Sequence, residues 1–531
     1  MSFTVRPVRE ERKSDVRFKK YVLLAAAFVQ SIFHLYRWKK ERNQKERKEL
    51  KRIATLKKTV TVLLAVLIAF LLIIGTLRVL LRLKAFSLTG MFSAVSADLP
   101  ADENGHTNVL LLGVGDSNHD GVDLTDTIMV ASLDPAKTRS AVLLSLPRDL
   151  YILNSEKMGK GRINDLYRDY KSFLISQGSD KAKASGEAMK QLAKEIGSFV
   201  DLPIHGVIKI NFSGFTQAVD AIGGVDVFVP EDISDPEYPG PNYTFETFAL
   251  TKGPQHLSGE TALKYVRSRH STSDFSRSAR QQQVMAAAAA KVRGSGLLKN
   301  ASKMTDLLSI ISKNMETTFT TRELFGLAGL GQKIDQKKIV STQLSDQNGL
   351  YDGPAGRGGF LYAPPREQFE GASILLPVSM PEMPVTWKQI RSLSRLLFEN
   401  RELFVRPPAV AVLNAGAREG SARKLAGELY KYGFNVVDSR NFLKGDNPSF
   451  EKSFVAVYPS QKTEEATEEA ANKLSKAEDN ADFFKKLFKF SSPLSTVDIA
   501  AFGENPADII IVLGKDYRFG NLQDLILTST E

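Results

Sequence analysis

The chain has 531 residues, 43% of them hydrophobic and 25% charged, which suits two to four folded units and excludes a collagen-like or wholly disordered polymer. It contains no cysteine, so disulfides, thiolate metal sites and cysteine nucleophiles are excluded, and the six histidines show no metal-ligand spacing. The formal charge of +11 sits at one end: residues 1–58 hold 18 Lys and Arg against 6 Asp and Glu, and the rest of the chain is close to neutral.

Residues 1–58 therefore read as a basic cytoplasmic tail. Its run KKERNQKERKELKR, residues 39–52, suits anionic inner-leaflet lipid better than nucleic acid, because no recognition motif or interleaved aromatic accompanies it. Within the tail, the apolar stretch Tyr21–Tyr36 reads as an interfacial helix or a second, short span. Thr59–Leu77 then runs nineteen residues without a charge, ~28 Å as a helix, which matches the bilayer core and predicts a transmembrane helix over 59–83. Arg78, Arg82 and Lys84 follow, and no Lys or Arg appears again before Lys137. That asymmetry predicts a single-pass protein of the cytoplasmic membrane, with its N-terminus inside and its C-terminal bulk outside.

Residues 84–106 read as a linker. Apolar runs of strand length follow at 108–114, 126–133 and 140–147; a helix is expected near 185–199, then strand (205–211), helix and strand (225–230), and a longer helix over 281–292. The expected fold is α/β, a central β-sheet covered by helices over 107–385. Residues 386–407 read as a second linker, and 408–520 as a small C-terminal α/β domain, expected to be a separable accessory unit.

Two clusters carry possible chemistry. The loop DSNHDGVDLTD (116–126) holds Asp116, Asp120, Asp123 and Asp126. It begins like an EF-hand loop but has Thr127 where the bidentate Glu belongs, and strands flank it. An oxygen-rich place for Mg²⁺ or Mn²⁺ with phosphate completing the shell is one interpretation, and an Asp/Gly turn is the other. The second cluster is basic: Arg148 and Asp149 in SLPRD, Arg162 in GRIND, and Arg267, Arg269, Asp274, Arg277, Arg280 and Gln281 in YVRSRHSTSDFSRSARQQQ. In extended chain Arg267 and Arg269 would share a face, as would Arg277 and Arg280 at a helix start. Converging guanidinium groups repel unless an anion joins them, and pyrophosphate, which Arg grips bidentately, is the natural guest.

NVLLLGV, LTDTIMVASLDP, SLPRDLYI, GRIND, INFSGFTQAVDAIGGVDVFV and QHLSGETALKYVRSRHSTSDFSRSARQQQ, spread in order over about 107–293, resemble the signature segments of the LytR–CpsA–Psr family. VAVLNAGAREGSARKLAGELYKYGFNVVDS resembles the LytR C-terminal domain. The resemblance implies a membrane-bound phosphotransferase that moves a glycopolymer, as its sugar phosphate, from a polyprenyl-pyrophosphate carrier onto peptidoglycan or another wall acceptor; pyrophosphatase activity is compatible with it. A non-catalytic lipid- or glycan-binding or regulatory envelope protein is the alternative. By motif, Asp126 would ligate Mg²⁺ with Asp116, Asp120 or Asp123 as second ligand. The arginines and Gln281 would hold the pyrophosphate, with Arg148, Asp149, Arg267, Arg269 and Asp274 expected as catalytic, and Asp149 and Asp274 either orienting arginines or accepting the hydroxyl proton. The sequence departs from the family where Gly115 follows LLGV and where Leu124–Thr125 precede DTIM. An apolar tunnel for the polyprenyl chain would involve Phe212, Phe215, Val219 and Ile222.

Overall fold

The computed structural model describes residues 23–35, 37, 39–40, 99–116, 121–240, 244–268, 274–294, 309–310, 312, 314–345, 359–378, 386–442, 449–458, 468–493 and 507–528. It divides into two units, Met1–Ser87 and Leu88–Glu531. In the first, residues 23–35 are helical and keep their large apolar side chains exposed, Leu23, Phe28 and Phe33 among them. Thr59–Leu77 and the basic run at 41–52 lie outside the described residues, and no described helix is long and apolar enough to cross a membrane.

The second unit is built on a six-stranded sheet of β1 (Thr107–Val114), β2 (Thr125–Asp134), β3 (Ser140–Leu146), β4 (Gly206–Asn211), β9 (Met315–Thr317) and β10 (Ile339–Gln343). The spatial order is β9-β4-β1-β2-β3-β10. β1 is antiparallel to β2, and β2 to β3, while β4 runs parallel to β1 and β10 parallel to β3. The carboxyl ends of β1, β3, β4 and β10 therefore share one edge. Alternation along β2 explains how the sheet is covered: Ile128 and Val130 face a large core shared with α1 (Ile163–Ser176) and α2 (Lys181–Val200), whereas Met129 and Ala131 pack toward Met285 of α5 (Asp274–Gly294). The sheet is apolar on both faces, which is why its strands read as near-continuous apolar runs. Asp180 starts α2 by accepting from the amides of Ala182 and Lys183.

α3 (Phe212–Ala221), α4 (Gly259–Arg267) and α5, with the ladders β5 (Val225–Val229)/β8 (Gly253–Leu257) and β6 (Ile233–Pro239)/β7 (Phe245–Leu250), enclose a second apolar cluster. The C-terminal sheet has the order β12 (Val436–Asn441)-β11 (Val410–Asn414)-β14 (Ile509–Leu513)-β13 (Phe454–Val457), with β13 alone antiparallel, and α8 (Ser421–Lys431), α9 (Glu468–Phe488) and α10 (Leu522–Thr528) beside it.

Residues 386–407, expected as a linker, are instead α7 (Lys388–Glu399) followed by a short helix Glu402–Val405. Ile390, Leu393, Leu396 and Leu397 on α7 are buried, and they belong to one continuous core that runs from Leu110 and Val130 of the central sheet to Val412, Phe434 and Ile511 of the C-terminal one. Trp387 stacks on Phe199 at 4.6 Å, Arg391 donates to the Ser198 carbonyl, and Arg395 pairs with Asp201 at 3.0 Å. The central and C-terminal sheets thus share one apolar core through α7, whose buried face would meet solvent if the C-terminal sheet were removed.

Candidate active site

The site is assembled where the parallel strands end. Ile128 of β2 pairs with Leu146, the last residue of β3, so Asp126, two residues before Ile128, and Arg148, two residues past Leu146, stand at the same end of the sheet. Arg148 Nη1 donates to Asp126 Oδ1 at 2.9 Å. Val114, the last residue of β1, pairs with both Thr125 and Asn211, so the ends of β1 and β4 and the start of β2 meet there. Gly113 occupies the irregularity in the β1–β2 ladder, and a Cβ on it would stand 2.9 Å from the Thr127 Cβ, so the close approach requires glycine.

Three arginines converge on this edge. Arg148 reaches Asp126 and lies 3.7 Å from Asp149; Arg162 pairs with Asp165 at 2.9 Å and lies 3.8 Å from the same Asp149 oxygen; buried Arg277 donates from Nη2 to the Asp126 carbonyl at 3.4 Å. The start of α1 holds the Arg148 backbone, since the Ile163 amide donates to the Leu150 carbonyl (2.7 Å) and the Asn164 amide to that of Arg148 (3.3 Å). The carboxylates of Asp126, Asp149 and Asp165 offset part of this positive charge, Asp165 being shared with Arg168 at 3.2 Å. Gln281, one helical turn after Arg277 on α5, is half-buried.

Asp116 stands at the exit of β1, where its carboxylate accepts from the Ser213 amide (3.0 Å) and hydroxyl (2.8 Å). Beside it, the Arg267 guanidinium lies 4.2 Å from the Phe212 ring centre and 5.5 Å from that of Tyr238, whose hydroxyl accepts from Nη1 at 3.2 Å. Val219 and Ile222 belong to the apolar cluster against which Phe215 packs; α4 contributes Ala262, Tyr265 and Val266 to it.

Several expectations are altered. Arg267 closes helix α4 and is not in extended chain; Arg269 lies outside the described residues, as do Asp120 and the side chain of Asp274, which opens α5. Arg280 does not point to a substrate: it is buried and donates to the carbonyls of Tyr265 (2.8 Å) and Ser268 (2.5 Å), the end of α4, where a cation satisfies orphan acceptors. Burial, chiefly, lowers its pKa. Asp123 is committed elsewhere, with Lys171 Nζ at 2.7 Å and Lys209 Nζ at 3.7 Å, so its carboxylate already serves two ammonium groups. Ser213, Lys171 and Lys209 escaped sequence reading; only the position of Ser213 just after a strand end offered a signal. A cavity of ~670 Å³ lies at the opposite edge, where β4 begins, lined in part by Lys190, Leu202, His205 and Thr318 and by none of these arginines.

Arginines and aspartates thus gather where the parallel strands of an α/β sheet end, the edge at which such sheets present their ligand sites. Residues 85–359 match the LytR_cpsA_psr family and residues 408–517 the LytR cell envelope-related transcriptional attenuator domain. The chain belongs to the LytR–CpsA–Psr family and carries a LytR C-terminal domain. It is 32% identical over 228 residues to the polyisoprenyl-teichoic acid–peptidoglycan teichoic acid transferase TagU of Bacillus cereus (strain AH820), covering 41% of this chain and 63% of that protein. It is 24% identical over 387 residues to the cell wall biosynthesis protein LcpA of Corynebacterium glutamicum, covering 66% of each. The match thus spans less than two thirds of the TagU relative's length. Among solved structures, B. subtilis TagV is similar at 23% identity and a TM-score of 0.39, over 55% of this chain and 97% of that one.

Proposed function

We propose that the chain is a glycopolymer phosphotransferase of the cell envelope. It would take the glycopolymer from a polyprenyl-pyrophosphate carrier and join it to peptidoglycan or another wall acceptor. The observation that carries this reading is the meeting of Arg148 and Arg277 on Asp126, with Arg162 beside them through Asp149, at one sheet edge, and Arg267 next to an apolar cluster. Family membership and the transferase activity for which the TagU relatives are named support it. In the reaction an acceptor hydroxyl would attack the sugar-bearing phosphorus, forming a P–O bond and giving up its proton to solvent, while the bridging P–O bond of the pyrophosphate breaks and polyprenyl phosphate leaves with the bonding pair. Arg148 and Arg162 are suited to bind the non-bridging oxygens bidentately, and Asp149 holds the pair in register. Arg267, propped on Phe212 and Tyr238, suits the phosphate nearer the lipid.

Asp116 and Asp126, two hard carboxylates at that edge, are the residues that would hold Mg²⁺ or Mn²⁺, and the buried Asn164 Oδ1, which makes no hydrogen bond among the described residues, is the unpaired oxygen that supports this reading. Bound there, the ion would neutralise charge on the phosphates. The uncharged stretch 59–77 would tether the catalytic unit to the cytoplasmic membrane, beside its lipid-borne substrate, with residues 88–531 outside.

The test is release of polyprenyl phosphate by the full chain in detergent micelles, with Mg²⁺, a polyprenyl-pyrophosphate oligosaccharide and peptidoglycan fragments. Arg148→Ala and Arg267→Ala are each expected to lower kcat/KM by about 10²–10³ without unfolding the protein. Undiminished turnover in both variants would falsify the arginine cradle. Tight binding with no release in the wild type would assign a lipid- or glycan-binding protein instead.

A further inference from the structure

We propose that Asp123 is a positioning residue: its ion pairs with Lys171 and Lys209 latch the β1–β2 connection to the body of the fold and set where Asp116 and Asp126 stand. The inference rests on the metal-assisted transferase reading and adds to it a residue that touches neither substrate nor metal.

Asp123 adopts a left-handed backbone (φ 64), which is unfavourable for a non-glycine residue and needs compensation from its surroundings. The side chain supplies that compensation. Lys171 on α1 meets Oδ2 at 2.7 Å, and Lys209 on β4 meets Oδ1 at 3.7 Å. Lys209 is only 4% exposed; its ammonium also donates to the Tyr167 hydroxyl (2.5 Å) and pairs with Glu316 at 2.9 Å. Ser185 closes the ring, bonding both the Tyr167 hydroxyl (2.7 Å) and Glu316. Two ammonium groups and two carboxylates balance, and removing Asp123 would leave a buried cation short of a partner.

The latch sits on the segment that leads into Asp126. The Leu124 amide donates to the Gly121 carbonyl, the Asp126 amide to that of Leu124, and Val122 bridges to Gly115, which precedes Asp116. Ser213 fixes the loop at its start and the two lysines fix it near its end. A metal taking Asp123 would bring its charge against two ammonium groups, one of them buried, so Asp123 is assigned to the loop and Asp116 and Asp126 to the ion.

Asp123→Asn is the deciding variant, since Asn tolerates the left-handed backbone and keeps the size while losing the charge. Full-length wild type, Asp123→Asn, Asp126→Asn, Lys171→Met and Lys171→Arg would be compared by hydrogen exchange of the peptide covering 121–126, by Mn²⁺ affinity, and by turnover. The expectation for Asp123→Asn and Lys171→Met is exchange at least about tenfold faster and Mn²⁺ binding about five- to tenfold weaker, with helical content unchanged; Lys171→Arg restores both. Unchanged exchange in Asp123→Asn, or faster exchange with unchanged Mn²⁺ affinity, overturns the proposal. So does a loss of Mn²⁺ binding as complete as that in Asp126→Asn, which would make Asp123 a ligand. A wild type that binds Mn²⁺ but releases no polyprenyl phosphate defeats the transferase reading alone, while exchange and Mn²⁺ affinity still judge the latch.

Discussion

Arg401 offers the sharpest measure of how the C-terminal domain is joined to the catalytic one. Its side chain is 1% exposed and donates to the Phe398 carbonyl (3.1 Å), the Ser132 carbonyl (3.4 Å) and the Ser132 hydroxyl (2.9 Å), so a residue just beyond α7 is hydrogen-bonded to β2 of the central sheet. Burial pushes the guanidinium down to about 10, a penalty on the charged form of ~3 kcal/mol. Three bonds from a charged donor at ~1.5 kcal/mol each return ~4–5 kcal/mol, so the buried charge comes close to breaking even. Arg401→Met, which keeps the stem, should therefore change stability by no more than about 2 kcal/mol. Arg401→Ala also opens a cavity and should lose about 3–5 kcal/mol. The assay is guanidinium unfolding of a Trp38→Phe background, in which Trp387, stacked on Phe199 at the junction, is the sole tryptophan reporter. Equal effects of Ala and Met, or a Trp387 transition well separated from the loss of helical signal, would refute the shared-core argument. Truncation after residue 407 should, on the same grounds, give an aggregating protein rather than an active core.

Two further outcomes follow from groups near the sheet. Burial works against the charged form of Asp134, but hydrogen bonds from the Thr138 hydroxyl and the amides of Lys137, Thr138 and Ala136 outweigh it and hold the carboxyl below its usual range. A depressed folded pKa means that its stabilisation is present above ~pH 4 and is lost as pH falls through the folded value. Asp134→Asn should cost about 1–3 kcal/mol at pH 7 and flatten the acid limb below pH ~4, as read by urea midpoints across pH; parallel acid limbs would contradict this. Arg280→Lys can serve one of the two carbonyls at the end of α4, so it should lower the melting temperature by a few degrees and reduce turnover about tenfold by loosening Arg267. Wild-type values for both would show that the cap does not position Arg267.

The central strands and the long helices were legible because burial on both faces of a sheet demands apolar runs, and an amphipathic helix must repeat its apolar residues every three to four positions. The first strand expected at 108–114 is Thr107–Val114, and the helix expected at 185–199 is Lys181–Val200. Family membership was legible too, because the ordered segments from NVLLLGV to the RQQQ run each preserve residue types rather than a pattern. α4 was not legible, for its nine residues are short and charged and its end is satisfied by Arg280, thirteen positions beyond Arg267. Nor was the buried face of α7, whose partners range from Ser198, 193 residues earlier, to Tyr432, 40 residues later.

Which chemistry was available could be read from the residues alone: arginines, aspartates, no thiols, a basic end and an uncharged stretch long enough for a bilayer. The partner of each charge came from the folded arrangement, because ion pairing depends on distances that strand and helix placement create. Asp126 met Arg148 where β2 begins and β3 ends, Arg280 turned inward to cap a helix, and Asp123 was claimed by two lysines from elements remote in the chain. The same identical side chains, a few ångströms apart, became cradle, cap or latch according to what else lay within reach of a hydrogen bond.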